Sequence, residues 1–192
     1  MRDENELQSE KHAMKCVEGY AGFEGEIPNL FQSTFAASEG ADEGQIIRRF
    51  VDDLMATTPD TDLFVYVAFD KGTLLGCIFF SRLEFAGDAR RVCLLSPVAV
   101  RTDRQRAGVG QKLIACGLDD LRGRGFDIVV TYGDPEYYRR TGFMPVSQDV
   151  VPAPYPLNHP HGWLGQSLHG SDLTPVPGPS RCVPALNKPE LW

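Results

Sequence analysis

The hydrophobic positions change period several times along the chain, and each change marks an element. Met14 to Tyr20 reads as a short edge strand. Ile27, Leu30, Phe31 and Phe35 then fall on one helical face. After a break at Ser38-Glu-Gly-Ala, Ile46, Ile47, Phe50, Val51 and Leu54 mark a second amphipathic helix, which ends near Thr57-Thr58-Pro59. Both stripes predict core. Leu63 to Phe69 and Thr73 to Leu83 are β-rich runs joined by Asp70-Lys71-Gly72, which predicts a hairpin. Gly87-Asp88 breaks the chain again. Val92 to Val100 carries no charge between Arg91 and Arg101, as suits a strand covered on both faces. Pro97 lies inside that run and cannot donate to a sheet ladder, so a bulge or a splayed strand is expected there. Val109, Leu113, Ile114, Leu118 and Leu121 return to helical spacing from about Gly108 to Arg122, with Gly123 and Gly125 as stop signals. Asp127 to Tyr132 is another buried strand. Asp134 as N-cap and Pro135 at the first position start a short helix that Gly142 ends, and Phe143 to Val146 begins a further strand.

Helices, then a meander, then strand–helix–strand predicts a mixed α/β (α+β) sheet flanked by helices. Beyond Val151 the composition shifts to Pro152, Pro154, Pro156 and Pro160, with a last strand within Gly162 to Leu168. After Ser171 come Pro175, Pro177, Pro179, Pro184 and Pro189, which predict an extended or disordered arm. The expected organisation is a polar N-terminal extension over 1–13, one domain over 14–170 and a Pro-rich C-terminal arm over 171–192. No internal repeat and no second domain are visible.

Composition narrows the function. The chain has 192 residues, of which 42% are hydrophobic, in the globular range. A net charge of −7 argues against a generally basic nucleic-acid surface and suits, weakly, a cationic or amine substrate. No apolar run approaches the ~20 residues of a membrane helix. The acidic start MRDENELQSE is neither a signal nor a transit peptide. The five cysteines are odd in number and without CxxC spacing. Four lie in apolar or periodic segments and read as small buried hydrophobes, which fits a reducing cytosol and a cytoplasmic, soluble protein.

The charge is uneven where the chemistry is suggested. Between Arg101 and Lys112, Arg101, Arg104, Arg106 and Lys112 face only Asp103. Within that stretch Gln105-Arg106-Ala107-Gly108-Val109-Gly110 joins the charge-free strand to a helix. Helix-start amides have no internal partner and carry partial positive charge, so such a corner favours a phosphate. It is not a Walker loop, because Gln111-Lys112 follows Gly110 where Lys-Ser/Thr is needed. It is not the dinucleotide fingerprint either, because position 113 is Leu. A Gln/Arg-x-x-Gly-x-Gly loop after a strand with Pro-x-x-Val resembles the coenzyme A pyrophosphate loop of the GNAT N-acetyltransferases. An ordinary strand–helix corner is the plainer alternative.

A second segment carries the same resemblance. In Gly133 to Phe143, GDPEYYRRTGF, Tyr138 lies four residues before Gly142-Phe143, as in the family's terminal motif. The two motifs together, over about residues 25 to 146, are closest to its YhbS-like branch. The resemblance implies a GNAT acyl-CoA N-acyltransferase fold, with the central sheet splayed at the cofactor site and an acceptor cleft bordered by the two early helices. It implies acetyl-CoA as co-substrate without a metal, and direct transfer of the acetyl group to a primary amine of a small molecule or peptide. No nucleic acid or membrane partner is implied, and dimers are common in such folds. Val98, Ala99 and Val100 would offer backbone groups to the pantetheine arm. Gln105, Arg106, Ala107, Gly108, Val109 and Gly110 would wrap the pyrophosphate, and Tyr138 would protonate the leaving thiolate. Tyr137 reads as packing, and Tyr138 also has a packing alternative. Arg101, Arg104 and Lys112 are either outer phosphate contacts or solvated charges.

Two departures from the pattern stand out. Leu95-Ser96-Pro97 offers no carboxylate where many members carry a basic Glu, and Gly133-Asp134 stands where many have an Asn. The general base is therefore unassigned, with Glu84 and Asp134 as candidates and Asp134 also readable as a helix cap. The missing carboxylate also leaves open a non-catalytic acyl-CoA-binding module. His159-x-His161 lacks a third ligand for a metal site. Cys182 is a candidate reactive thiol.

Overall fold

A computed structural model describes residues 14–170 and 172–192. The expected N-terminal extension over 1–13 and Ser171 lie outside the described residues. The strands are β1 (Lys15–Glu18), β2 (Leu63–Asp70), β3 (Thr73–Phe85), β4 (Val92–Val100), β5 (Ile128–Tyr132), β6 (Met144–Pro145), β7 (Trp163–Ser167) and β8 (Ser180–Arg181). The helices are α1 (Glu26–Glu39), α2 (Ala41–Thr57), α3 (Val109–Gly123) and α4 (Pro135–Tyr138). The sheet runs β1-β2-β3-β4-β5-β7-β6, with β8 paired to the far end of β3. Among the described strands only β4 and β5 pair in parallel, joined by a crossover through α3, so the sheet is mixed, as expected, and mostly antiparallel.

Each face of the sheet buries its own layer, because side chains alternate along a strand. On β3, Cys77, Phe79, Leu83 and Phe85 face α1 and α2, with Phe31, Val51 and Leu54 among their neighbours. Ile78 and Phe80 face α3, with Leu113, Ile114 and Leu121. Most residues that sequence periodicity assigned to core fill these layers, but Ile46 on the α2 stripe is exposed.

β4 and β5 stay in register from Val92↔Ile128 to Leu95↔Thr131 and then part. On its other side β4 pairs Leu95 with Phe80 and Val98 with Ile78. Three steps along β4 therefore oppose two along β3, which is a bulge spanning Ser96-Pro97. The proline expected to break the ladder sits in it, and the Ser96–Pro97 peptide is cis. The bulge bends β4 away from β5 and opens a fork.

Two expectations fail. The Pro-rich tail is extended but not free. Val176, Val183, Ala185, Leu186 and Trp192 are buried with the α1–α2 layer. Ser180 and Arg181 pair with Phe85 and Glu84. The Trp192 ring lies 6.1 Å from that of Trp163, and its Nε1 donates to Leu186 O at 3.0 Å. Prolines set the path of this segment, while apolar residues between them, at neither helical nor strand spacing, cover an open face of the core. The cysteines also differ from expectation. Cys16 on β1 and Cys116 on α3 form a disulfide, Cys77 and Cys93 are buried free thiols, and Cys182 is half-buried. The pair is 100 residues apart in sequence and meets only because α3 packs across β1. The odd count is thus no argument for a reducing compartment. No helix among the described residues is long and apolar enough to cross a membrane.

Candidate active site

The fork determines what β4 exposes. The Arg101 amide donates to Leu75 O on β3 at 2.9 Å. Antiparallel alternation then turns Ala99 toward Cys77 on β3 as well, and turns the polar groups of Val98 and Val100 to the side that β5 has left. Val100 O accepts from Gln105 Nε2 at 3.2 Å and Thr34 Oγ1 at 3.4 Å. Gln105 thus anchors the loop to the strand end, and α1 is pinned across it. Of the three strand residues expected to meet a pantetheine arm, Val98 and Val100 face the fork. Ala99 is engaged with β3.

The Gly-rich corner follows directly. Arg106 and Gly108 both have left-handed backbones, with φ of 62° and 79°. Gly108 suits that conformation, and together the two curl the loop before α3 begins. The first amide of α3 to find a carbonyl is that of Lys112, bonded to Gly108 O at 3.0 Å. Among the described residues, none of the backbone N–H groups from Arg106 through Gln111 meets a protein acceptor. These open donors sit at the positive end of a fifteen-residue helix. Gly108, Gln111, Lys112, Arg140 and Thr141 border a cavity of about 460 Å³, so the corner opens onto space and is not plugged.

Tyr138 lies across the fork from this loop. Asp134 Oδ1 accepts the Glu136 amide at 2.9 Å and caps α4, with Pro135 at its start, as the spacing predicted. The turn lays the Tyr138 ring edge-on to Tyr137 and Phe143, at 5.0 and 5.7 Å. Burial pushes the Tyr138 phenol up to about 12, with the Thr131 hydroxyl as its hydrogen-bond neighbour. Thr131 is fully buried and donates to Leu95 O at 2.9 Å, which ties together the last residue pair before the strands part. The phenol is therefore held at the apex of the fork. It is protonated at neutral pH and can act as an acid but not as a base. Thr131 was missed at the sequence level, although a lone hydroxyl in the apolar run IVVTY was its signal. Arg140, on the cavity opposite Lys112, was missed too.

Tyr137, expected to be packing, has a second contact. A Cβ built on Gly110 would lie 2.2 Å from the Tyr137 hydroxyl, so α4 rests directly on the backbone of the loop. Arg101 and Arg104 both turn toward Asp103, at 3.0 and 3.8 Å, which leaves Lys112 as the candidate outer contact that borders the cavity. Glu84 neighbours the Leu83↔Val92 pair, at the opposite end of β4 from the fork, and is not placed to act as a base. No group of three His, Cys, Asp or Glu among the described residues is placed to hold a metal ion.

A strand fork beside an open amide corner, closed over by a tyrosine turn, is the arrangement expected of an acyl-CoA transferase. The chain belongs to the Acetyltransferase (GNAT) family, whose sequence model matches residues 26–143, and it is thus a member of an enzyme family of acyltransferases. It is 38% identical over 118 residues to the N-acetyltransferase YjhQ of Escherichia coli K12, a match over 59% of this chain and 65% of that one. It is 35% identical over 74 residues to YhbS of the same organism, covering 38% and 44%. The chain thus spans under two thirds of the length of these relatives. Among solved structures, YhbS of Escherichia coli in complex with CoA superposes with a TM-score of 0.76 over 92% of this chain and 93% of that one, at 24% identity. A GNAT acetyltransferase of Brucella melitensis in complex with acetyl-CoA superposes with a TM-score of 0.69 over 91% and 98%, at 27% identity.

Proposed function

We propose that the protein transfers the acetyl group of acetyl-CoA to a primary amine, directly, within a ternary complex. The observation that carries this reading is the run of unpaired amides from Arg106 to Gln111 opening beside the β4–β5 fork. Acetyl-CoA supplies an activated acyl group on a thiol leaving group. Gln105, Arg106, Ala107, Gly108, Val109 and Gly110 would hold its diphosphate, chiefly through main-chain donors and the helix dipole. Lys112 and Arg140 would meet its outer phosphate across the cavity they share. The open backbone groups of Val98 and the amide of Val100 would take the place of the missing β5 ladder and align the pantetheine arm in the fork, with Ala99 holding the strand to β3. A free Val98 amide there would stabilise charge on the carbonyl oxygen. Tyr138 would give its proton to the departing sulfur. Fixing both reactants at one fork supplies much of the acceleration by proximity.

The test has two readouts, acetyl-CoA binding by calorimetry and thiol release over a panel of amines. Replacing Tyr138 by Phe keeps the ring packing and removes the proton. Turnover is expected to fall ~100-fold or more with affinity for acetyl-CoA unchanged within twofold. No binding at high micromolar protein would remove the proposal. Binding with no thiol release from any amine would instead favour a non-catalytic acyl-CoA-binding module, the reading that the absence of a carboxylate on β4 supports.

A further inference from the structure

The segment between β6 and β7 closes a second cavity, on the side of the fork away from α3. It has a volume of about 400 Å³ and is lined by Tyr132, Gly133, Asp134, Pro135, His159, His161 and Gly162. Tyr132 belongs to the α1–α2 layer, whereas Tyr138 and the cofactor loop belong to the α3 layer. Gly133 lines the cavity and also touches the Tyr138 side. A Cβ on Gly133 would lie 2.8 Å from the Tyr138 ring, while its amide donates to Gly162 O at 3.0 Å. The cavity and the Tyr138 ring therefore share Gly133, a residue that has no side chain, as a common neighbour.

The polar groups around it suit an amine. Asp134 spends Oδ1 on its helix cap, and its Oδ2 meets no partner among the described residues. The Tyr132 phenol oxygen accepts the His159 amide at 2.7 Å, which fixes that loop over the strand end. The rings of His159 and His161 sit edge to face at 5.9 Å, and both residues are exposed. His161 immediately precedes Gly162, the residue packed on Gly133.

We propose that this cavity is the acceptor subsite and takes a primary alkylammonium, with Asp134 holding the cation and His161 acting as the general base. The inference rests on the acetyltransferase reading above. The ammonium gives one proton to His161, which passes it to water directly or by way of His159. The freed nitrogen bonds to the thioester carbonyl carbon as the carbon–sulfur bond breaks. Tyr138 gives its proton to the sulfur and regains one from the nitrogen. The products are the amide, the free thiol and one proton. This arrangement supplies the base that β4 does not carry.

The experiment uses the full chain with acetyl-CoA and, as probes, propylamine, 1,3-diaminopropane and benzylamine. Replacing His161 by Ala is expected to lower thiol release ~100-fold, with acetyl-CoA affinity by calorimetry unchanged. Imidazole added to the buffer should restore part of the rate, which a packing defect would not allow. Replacing Asp134 by Asn should raise KM for the amine at least tenfold and change kcat much less. Independently of turnover, saturating benzylamine should shift the ring NMR signals of His159 and His161 but not of His169. Turnover that is indifferent to His161 within twofold would overturn the base, and unmoved His159 and His161 signals would overturn the subsite. Loss of acetyl-CoA binding by the unmodified protein would instead strike the acetyltransferase reading itself.

Discussion

Replacing Gly110 by Ala tests the contact between the cofactor loop and α4. The added methyl would stand 2.2 Å from the Tyr137 hydroxyl, with Val100 Cγ2 at 3.4 Å and Tyr137 Cζ at 3.5 Å. Non-bonded heavy atoms settle at ~3.5 Å, so only the hydroxyl is in serious overlap. It cannot swing aside freely, because the Tyr137 ring is packed against that of Tyr138. Overpacking of this kind costs ~1–3 kcal/mol. The gain from Ala over Gly in a helix is at most ~1 kcal/mol, so the single variant should be destabilised. Replacing Tyr137 by Phe removes the clashing atom and leaves ordinary contacts at 3.4 and 3.5 Å. A double-mutant cycle cancels the helix-propensity term and should return a coupling of ~1–3 kcal/mol. Read as a melting temperature, the Gly110→Ala protein should recover ~2–4 °C for each kcal/mol when the Phe is added. Urea denaturation of the four proteins measures the coupling. A value below ~0.5 kcal/mol would lie within ordinary additivity and would show that Tyr137 does not rest on the loop. Calorimetry on the same four proteins adds a functional reading. Gly110→Ala should weaken acetyl-CoA at least tenfold, and unchanged affinity in a destabilised variant would mean that the corner is not the diphosphate grip.

Two further outcomes follow from the fold. Trp192→Ala removes a buried indole that meets Trp163 and donates to Leu186 O, so it should cost ~3–5 kcal/mol and lower the melting temperature by roughly 10 °C; a shift under ~2 °C would mean that the tail is not part of the core. Thiol titration of denatured, unreduced protein should find the free Cys77, Cys93 and Cys182 but not Cys16 or Cys116, and reduction should cost ~2–5 kcal/mol of stability for a loop of this length. Five reactive thiols in protein handled under air would refute the pairing.

Local signals carried most of the architecture. The charge-free run ending at Val100, with a proline inside it, showed both the strand and its bulge, because a missing donor has a local consequence wherever the strand pairs. The Gly108 corner and the Asp134 cap were legible for the same reason. What stayed hidden depended on distant partners. Cys16 and Cys116 carry no spacing signal, and only the packing of α3 across β1 brings them together. Trp192 and Val183 sit in a proline-rich stretch whose composition resembles disorder, yet an open core face gives them a place. Arg101 and Arg104 could not be separated from Lys112 until Asp103 was seen to engage the first two. Of the candidate bases, Glu84 fell away once the strand register placed it at the wrong end of β4, which no linear reading could reveal.

The open amide corner has a consequence for how such a protein can diverge. A grip made of main-chain donors does not depend on most side-chain identities, so mutation can wander through the loop's surroundings while the donor substrate stays the same. The family match ends at residue 143, and the wall built by His159, His161 and Gly162 lies beyond it. On the proposed reading, changes in that later wall can alter the acceptor without touching the segment that matches the family.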